Sequence, residues 1–358
     1  MQRFMVVVRM LTIVALSGLG CRRATEDRGP LLAKGVGGTN IVWTADGAEV
    51  VYVASTSGAP ALQAVRVADG ALRQLDVAVA RPDLPLARSA NGSALYYFTD
   101  AGVLREALSG KDERATSPAS WSVLATSADG HLVAYVAVPG IDGSPEAAAL
   151  VDVDRATLSP LTHCGPTWFR FSPPGDAVLC ADVGAPSNQP EMVRDFVVVD
   201  LTTGDARERL AALVGPQDAW FGATGPKLAG LLDADGTAMA VNDLRAGTAR
   251  VVYRLLPSSS DVKTRGFPAM SGASFSADGA QLAFWAAECL GANFAEPEYC
   301  DTAQGSLVVV DLETGSHRVV ASGEATGGGG IGPMAFSDDG ARIAYRFARE
   351  LHVRPTHP

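Results

Sequence analysis

Short apolar runs alternate with polar turns along this chain, and one arrangement returns seven times. An aromatic or small residue leads a Ser/Asp/Gly turn, and an apolar run follows. The segments are Trp43-TADGAEVVYV, Arg88-SANGSALYYF, Thr126-SADGHLVAYV, Phe171-SPPGDAVLCA, Phe221-GATGPKLAGL, Phe275-SADGAQLAFW and Phe336-SDDGARIAYR. Their turn glycines, Gly47, Gly92, Gly130, Gly175, Gly225, Gly279 and Gly340, lie 45, 38, 45, 50, 54 and 61 residues apart. Asp-Gly or Asn-Gly between apolar runs is a strong hairpin signal, because glycine takes positive φ without steric cost.

A second landmark follows most of these hairpins: Val65-RVADG, Val103-LREALSG, Leu150-VDVDRA, Val198-VDLTTG, Val241-NDLRAG and Val309-VDLETG. Each reads as a strand closed by a tight turn, with a fourth run after it, such as His317-RVVAS. In Leu307-VVVDL and Phe196-VVVDL both alternating faces are largely apolar, as in strands covered on both sides. Ala206-RERLAALV and Ser144-PEAAALV look helical locally, but the repeat register requires strands there. A four-stranded unit of this period, buried on both faces, predicts an all-β fold, a seven-bladed β-propeller of four-stranded antiparallel blades. That makes twenty-eight strands, with six or eight blades as the alternatives if the second or fifth repeat is misread. The last repeat stops at a third strand, Glu350-LHVRP, and Leu31-LAKGVGG resembles the fourth-strand segment Val319-VASGEA. An N-terminal strand completing the last blade therefore closes the ring and removes its open edge.

The first residues stand apart from this pattern. Arg3 and Arg9 precede an uncharged run, Met10-LTIVALSGLG, too short to span a bilayer and suited to a signal peptide. Ser17-Gly18-Leu19-Gly20-Cys21 resembles a bacterial lipoprotein cleavage site, which implies a lipidated Cys21. Ordinary cleavage after Ala15-Leu16-Ser17 and an uncleaved anchor are the alternatives, and all three export the chain. The expected organisation is a signal peptide at 1–20, a lipidated tether at 21–30 and one propeller at 31–358. Localisation follows: an exported protein of the bacterial envelope, held on a lipid bilayer by an N-terminal acyl anchor, or else soluble in the periplasm.

Four cysteines remain, an even number that suits an oxidising compartment. Cys289–Cys300 and Cys164–Cys180 are the candidate disulfides. The formal charge of the chain is −10, and without Arg3 and Arg9 the balance is 27 basic against 39 acidic residues. Such a balance argues against a nucleic-acid groove, which needs clustered Lys and Arg.

The repeat resembles that of the TolB-like, WD-repeat-like β-propeller family, in which an aromatic-Ser-x-Asp-Gly turn precedes a Val-Val-Asp-Leu-x-Thr-Gly strand and turn. Phe275-SADGAQLAFW with Val309-VDLETG is its best instance, over a resemblance reaching from about residue 31 to 355. It implies fold and little about activity. TolB itself carries an α/β domain before a six-bladed propeller, and the first turn at Gly47 leaves no room for one.

Catalytic motifs fare poorly. Gly327-x-Gly329-x-x-Gly332 has dinucleotide spacing, but Pro333 and a hairpin follow where a helix is needed. Ser260-x-x-Lys263 lacks the accompanying motifs of penicillin-binding enzymes. Asp233-x-Asp235-Gly236 lacks the later Glu of a calcium loop. The five histidines show no metal-ligand spacing, and no Gly-x-Ser-x-Gly elbow occurs. The sequence thus predicts no catalytic residue, cofactor or metal. It predicts a monomeric, non-enzymatic scaffold for a protein, peptide or glycan partner, with a lactonase-, lyase- or quinoprotein-type enzyme at the central channel as the alternative. The contact surface would be the long loops 287–305, 183–194, 257–272 and 322–333. Glu288, Glu296, Glu298 and Asp301 make the first of these acidic, and Lys263 and Arg265 offer a basic contrast.

Overall fold

A computed structural model describes residues 27–55, 60–78, 86–89, 94–98, 104–106, 124–127, 130–137, 147–155, 157–183, 193–232, 237–255, 269–292, 300–326 and 331–357. Within them the chain forms antiparallel sheets, each a simple up-and-down meander. In chain order these cover 36–78, 87–106, 124–160, 164–211, 215–254, 269–326 and 331–355, and are numbered one to seven. Sheets one and three to six each hold four consecutive strands. Sheet seven has three strands of its own, and Leu31–Lys34 adds the fourth by pairing with Glu350–Pro355. This is an all-β propeller with six four-stranded antiparallel blades.

Sheet two departs from the expected twenty-eight strands, since its described residues form three: Ala87–Arg88, Leu95–Phe98 and Leu104–Glu106. Residues 107–123, where its fourth strand would fall, lie outside the described set. Ala206–Ala211 and Ala147–Asp152 are strands despite their local helical composition. Pairing on the sheet overrides propensity there.

The apolar-on-both-faces strands find their explanation at the seams. Leu307 and Val309 pack toward sheet seven with Ile343 and Tyr345, while Val308 and Val310 pack toward sheet five with Ala229 and Met239. Phe196 and Val198 face sheet five, and Val197 and Val199 face sheet three. An apolar cluster fills every seam in chain order, and the last joins Trp43, Val50 and Tyr52 of sheet one to Ala344 and Val353 of sheet seven. The core is therefore a ring of interfaces, not a central mass. The first strand of each sheet is innermost, where Val36–Trp43 meets Ile331–Phe336, and Gly215–Gly222 meets Ala269–Phe275.

The motif's serine, which the periodicity alone does not explain, caps the hairpin from inside. Ser276 Oγ accepts the Gln281 N–H at 2.9 Å, and Ser337 Oγ accepts that of Arg342 at 3.0 Å. Ser89, Ser127, Ser172 and Thr44 do the same for the N–H five residues on. The aspartate two residues after the serine takes a hydroxyl bond from it and a backbone N–H from the far side of the turn, as in Asp278. These bonds hold the Asp46, Asp278 and Asp339 carboxyls below the usual carboxylate range. They are turn formers, not an acid/base pair. At Gly279 φ is +70°, and a Cβ would sit 2.5 Å from the Trp220 ring, so the turn demands glycine twice over. Ser276→Ala strands a buried N–H and should cost about 2 kcal/mol, read as a shift of the urea midpoint at constant m.

The N-terminal strand is fastened by side chains as well as by pairing. Tyr345 Oη donates to Arg28 O at 2.5 Å, and His352 Nδ1 lies 3.2 Å from Pro30 O. His352 is 2% exposed and stacked on Tyr345. Burial pushes its imidazole below the ordinary histidine range, against the opposing pull of the Pro30 and Gly29 carbonyls and Glu350, with Arg28 adding to the fall. A depressed histidine stabilises fully above about pH 6.5, and that stability is lost as pH falls through the folded-state value. The urea midpoint should drop between pH 7.5 and pH 5. His352→Phe should show a smaller drop over that window.

Candidate binding site at the channel mouth

Each first strand leaves one edge without a strand partner, facing the channel. Buried N–H and C=O groups must be satisfied somehow, and here side chains of neighbouring sheets do it. Trp43 Nε1 donates to Ala335 O at 2.9 Å, and Thr126 Oγ1 to Arg88 O at 2.7 Å. Arg170 Nε donates to Ala219 O at 2.7 Å, and its Nη2 donates to Asp218 Oδ1 at 2.5 Å. The second Asp218 oxygen accepts the Phe275 N–H at 2.9 Å. Further out, Trp285 Nε1 donates to Gly332 O and Trp220 Nε1 to Ala277 O.

These stitches surround a cavity of about 380 Å3 at the turn-bearing end of the channel. It is lined by first-strand residues of sheets one, two, three, four and seven. Trp43, Phe171 and Phe336 supply aromatic wall, Thr126 a hydroxyl, and Arg88 and Arg170 two guanidinium groups. Its exposed surface is more polar than apolar, since Trp43 and Phe336 are nearly covered, and convergent polar groups in a concavity are what fix a small ligand. A larger cavity of about 570 Å3 opens along the outer edge of sheet five, against Val251 to Leu255 and His317. Nearly all its wall comes from consecutive residues of one strand, so it gathers far less varied chemistry.

The two guanidinium groups differ. Arg170 is engaged on all three nitrogens, its Nη1 donating to Phe169 O at 3.2 Å. Arg88 Nη2 pairs with Asp338 Oδ1, on the turn of sheet seven. That contact passes over sheet one and ties two non-adjacent sheets across the mouth. Arg88 Nη1 is buried and has no hydrogen-bond partner among the described residues.

The residues expected from sequence to form a contact surface lie elsewhere. Lys263, Arg265, Glu296 and Glu298 fall outside the described residues, as does Cys21. Glu288 sits opposite Gln304 on strand Gln281–Ala292, and Asp301 lies on strand Cys300–Asp311. The expected loop 287–305 is therefore largely strand. Its ladder runs from Gln281 to Ala292 because small residues there continue the pairing, and each strand reaches 12 residues against six for Ala177–Asp182. Strand Ala269–Phe275 and strand His317–Thr326 likewise shorten the expected loops 257–272 and 322–333.

Cys164 and Cys180 form a disulfide with their Cα atoms 5.5 Å apart. The Cys289–Cys300 pairing rests on side chains outside the described residues, and the ladder sets Cys289 opposite Ala303 and Cys300 opposite Ala292. The Asp233–Asp235 segment is also outside them, as is the span 327–330. Among the described residues no three His, Cys, Asp or Glu side chains come together as a metal site, and no helix is long and apolar enough to cross a membrane.

No protein-family model and no curated protein matches this chain. Solved structures do. An oligogalacturonate lyase in complex with manganese is 13% identical, with a TM-score of 0.65 over 93% of this chain and 94% of its own. The Vibrio parahaemolyticus oligogalacturonate lyase is 11% identical, with a TM-score of 0.66 over the same shares. The β-propeller domain of Myceliophteria thermophila Cps50 (Swd1) is 12% identical, with a TM-score of 0.59 over 92% of this chain and 99% of its own. At these identities the likeness is one of fold. The TolB-like resemblance accordingly stands at the level of the propeller.

The expectation of a non-enzyme is corrected by the same finding. It moved from a propeller without a recognised motif to a protein without catalysis, yet lyases share this fold nearly end to end. A propeller places its chemistry on inward-leaning side chains of distant repeats, which no linear motif reports. Arg88, Arg170, Asp218 and Asp338 were missed for that reason. One signal was present: Arg88 occupies the position that Trp43, Phe171, Phe275 and Phe336 fill in other repeats.

Proposed function

We propose that this protein is an envelope ligand-binding propeller that holds a small anionic ligand at the mouth of its channel. The observation that carries the reading is the cavity of about 380 Å3 where five first strands converge on an aromatic wall with two guanidinium groups. Guanidinium is the side chain best suited to planar anions, because its fixed fork donates two parallel N–H groups. Binding is a premise of scaffold and enzyme roles alike, and the proposal concerns binding.

In this reading the ring has seven blades, with sheet two as the second. Cys21 carries an acyl anchor, residues 21–30 are the tether, and 31–358 form one domain. The export-type leader and the Gly20-Cys21 junction support that placement. Thermal unfolding in the presence of small molecules grouped by charge tests the ligand. A saturating anion at a hundredfold its Kd stabilises by about 2.7 kcal/mol, readily seen as a raised midpoint. Stabilisation by anions that Arg170→Gln weakens supports the reading, whereas a panel without any stabilising compound contradicts it. The mass of membrane-extracted protein tests the anchor, since Cys21→Ala should abolish an acyl adduct and release the protein.

A further inference from the structure

The two arginines of the mouth do not have equal capacity, and the difference identifies the anion. We infer that the mouth takes an organic carboxylate, which docks on Arg88 in the place now held by Asp338. The inference rests on the binding reading above and narrows its ligand class.

Arg170 commits one N–H of each nitrogen to the ring, with Nε, Nη1 and Nη2 going to Ala219 O, Phe169 O and Asp218 Oδ1, and leaves no buried nitrogen unpaired. Its partner Asp218 is itself committed to the Phe275 N–H. That assembly belongs to the ring. Arg88 is different: its side chain is 12% exposed, it spends Nη2 on one carboxylate oxygen, and Nη1 is buried without a partner among the described residues. A buried guanidinium nitrogen left unpaired is costly, so the site is poised for an acceptor that fills both positions. A carboxylate bound end-on to the fork, across Nη1 and Nη2, does this with two parallel bonds.

Asp338 is suited to be the displaced group. It shares its turn with Asp339, and Asp339 does the turn's own work by accepting the Ala341 N–H and the Ser337 hydroxyl. Among the described residues Asp338 contacts Arg88 and has no hydrogen bond within the turn. Its side chain is 39% exposed, so water can take it when it leaves. Its carboxylate thus stands in for the ligand's and holds the arginine in place across the mouth. The rest of the ligand would meet a mixed wall, with the half-buried Phe171 and the Thr126 hydroxyl beside nearly covered Trp43 and Phe336. A free aryl acid and the C-terminus of a peptide ending in Phe share this chemistry.

Isothermal titration of the full chain with phenylacetate, phenylacetamide, an N-acetylated dipeptide ending in Phe, and that dipeptide's C-terminal amide tests the inference. At least one acid should bind while its amide does not, and which acid binds identifies the source. Asp338→Asn keeps the size of the side chain and removes the competitor, so it should tighten the acid by about tenfold. Arg88→Gln should abolish binding, with the melting profile checking that the ring still folds. Equal binding of acid and amide overturns the inference, as does Asp338→Asn leaving the affinity unchanged or weaker. Absence of acid binding to both the native protein and Asp338→Asn overturns it too. If the thermal panel then still yields an anion sensitive to Arg170→Gln, the wider reading stands without this one. An empty panel removes both.

Discussion

Deleting residues 1–35 should lower the unfolding free energy by about 5 kcal/mol and increase self-association of the chain. Leu31–Lys34 supplies the outer strand of sheet seven, paired with Glu350–Pro355. With it go the Tyr345 Oη bond to Arg28 O and the His352 contact with Pro30 O. The bridge between Asp27 and Ser322, which reaches across to sheet six, is also lost. At about 1 kcal/mol per hydrogen bond, with Ala33 leaving the seam between sheets seven and one, the sum is near the stated figure. Glu350–Pro355 would then become an exposed edge, a template for pairing with a second copy. Urea unfolding gives the first quantity and light scattering the second. A truncated chain as stable as the full one, and no more associated, would mean that the ring is not closed by this strand.

The second large effect concerns the disulfide of sheet four. Cys164 begins the first strand, Cys180 lies in the second, and their separation of 16 residues corresponds to about 3 kcal/mol in the loop-entropy description. Both are buried in the seam with sheet three, beside Phe169 and Val197. Replacing the pair by Ala should therefore cost at least about 3 kcal/mol, and for a chain of this size lower the thermal midpoint by about 4 °C. Reductant should produce a comparable fall in the native protein and a smaller one in the double variant. A native midpoint insensitive to full reduction would contradict the assigned role.

The repeat was legible because each of its parts has a local cause. Glycine with positive φ, a capping serine and a turn aspartate must recur wherever the chain reverses in the same way, so Phe275-SADG and Phe336-SDDG announce themselves. Strands apolar on both faces, such as Leu307-VVV, likewise announce seams on both sides. The closing strand was legible because Leu31-LAKGVGG has the pattern of a fourth strand and the last repeat shows three, and the two do pair. The binding site was not. Arg88 and Asp338 stand 250 positions apart, and what joins them is the curvature of the ring. Strand extension in sheet six was also hidden, since Ala286 to Ala292 carries small residues and glycine that read as loop until a partner strand continues the ladder. Missing linear motifs likewise say nothing about catalysis here, because in a propeller a site is assembled from side chains of distant repeats.

The central claim is a closed ring whose channel mouth is a carboxylate site built on Arg88. A crystal structure of the full chain grown with phenylacetate tests it most directly. The account predicts a ring with Leu31–Lys34 on its last sheet, ligand density against both outer nitrogens of Arg88, and Asp338 turned away. A ring with Asp338 still on Arg88 and the ligand absent from the mouth would contradict it.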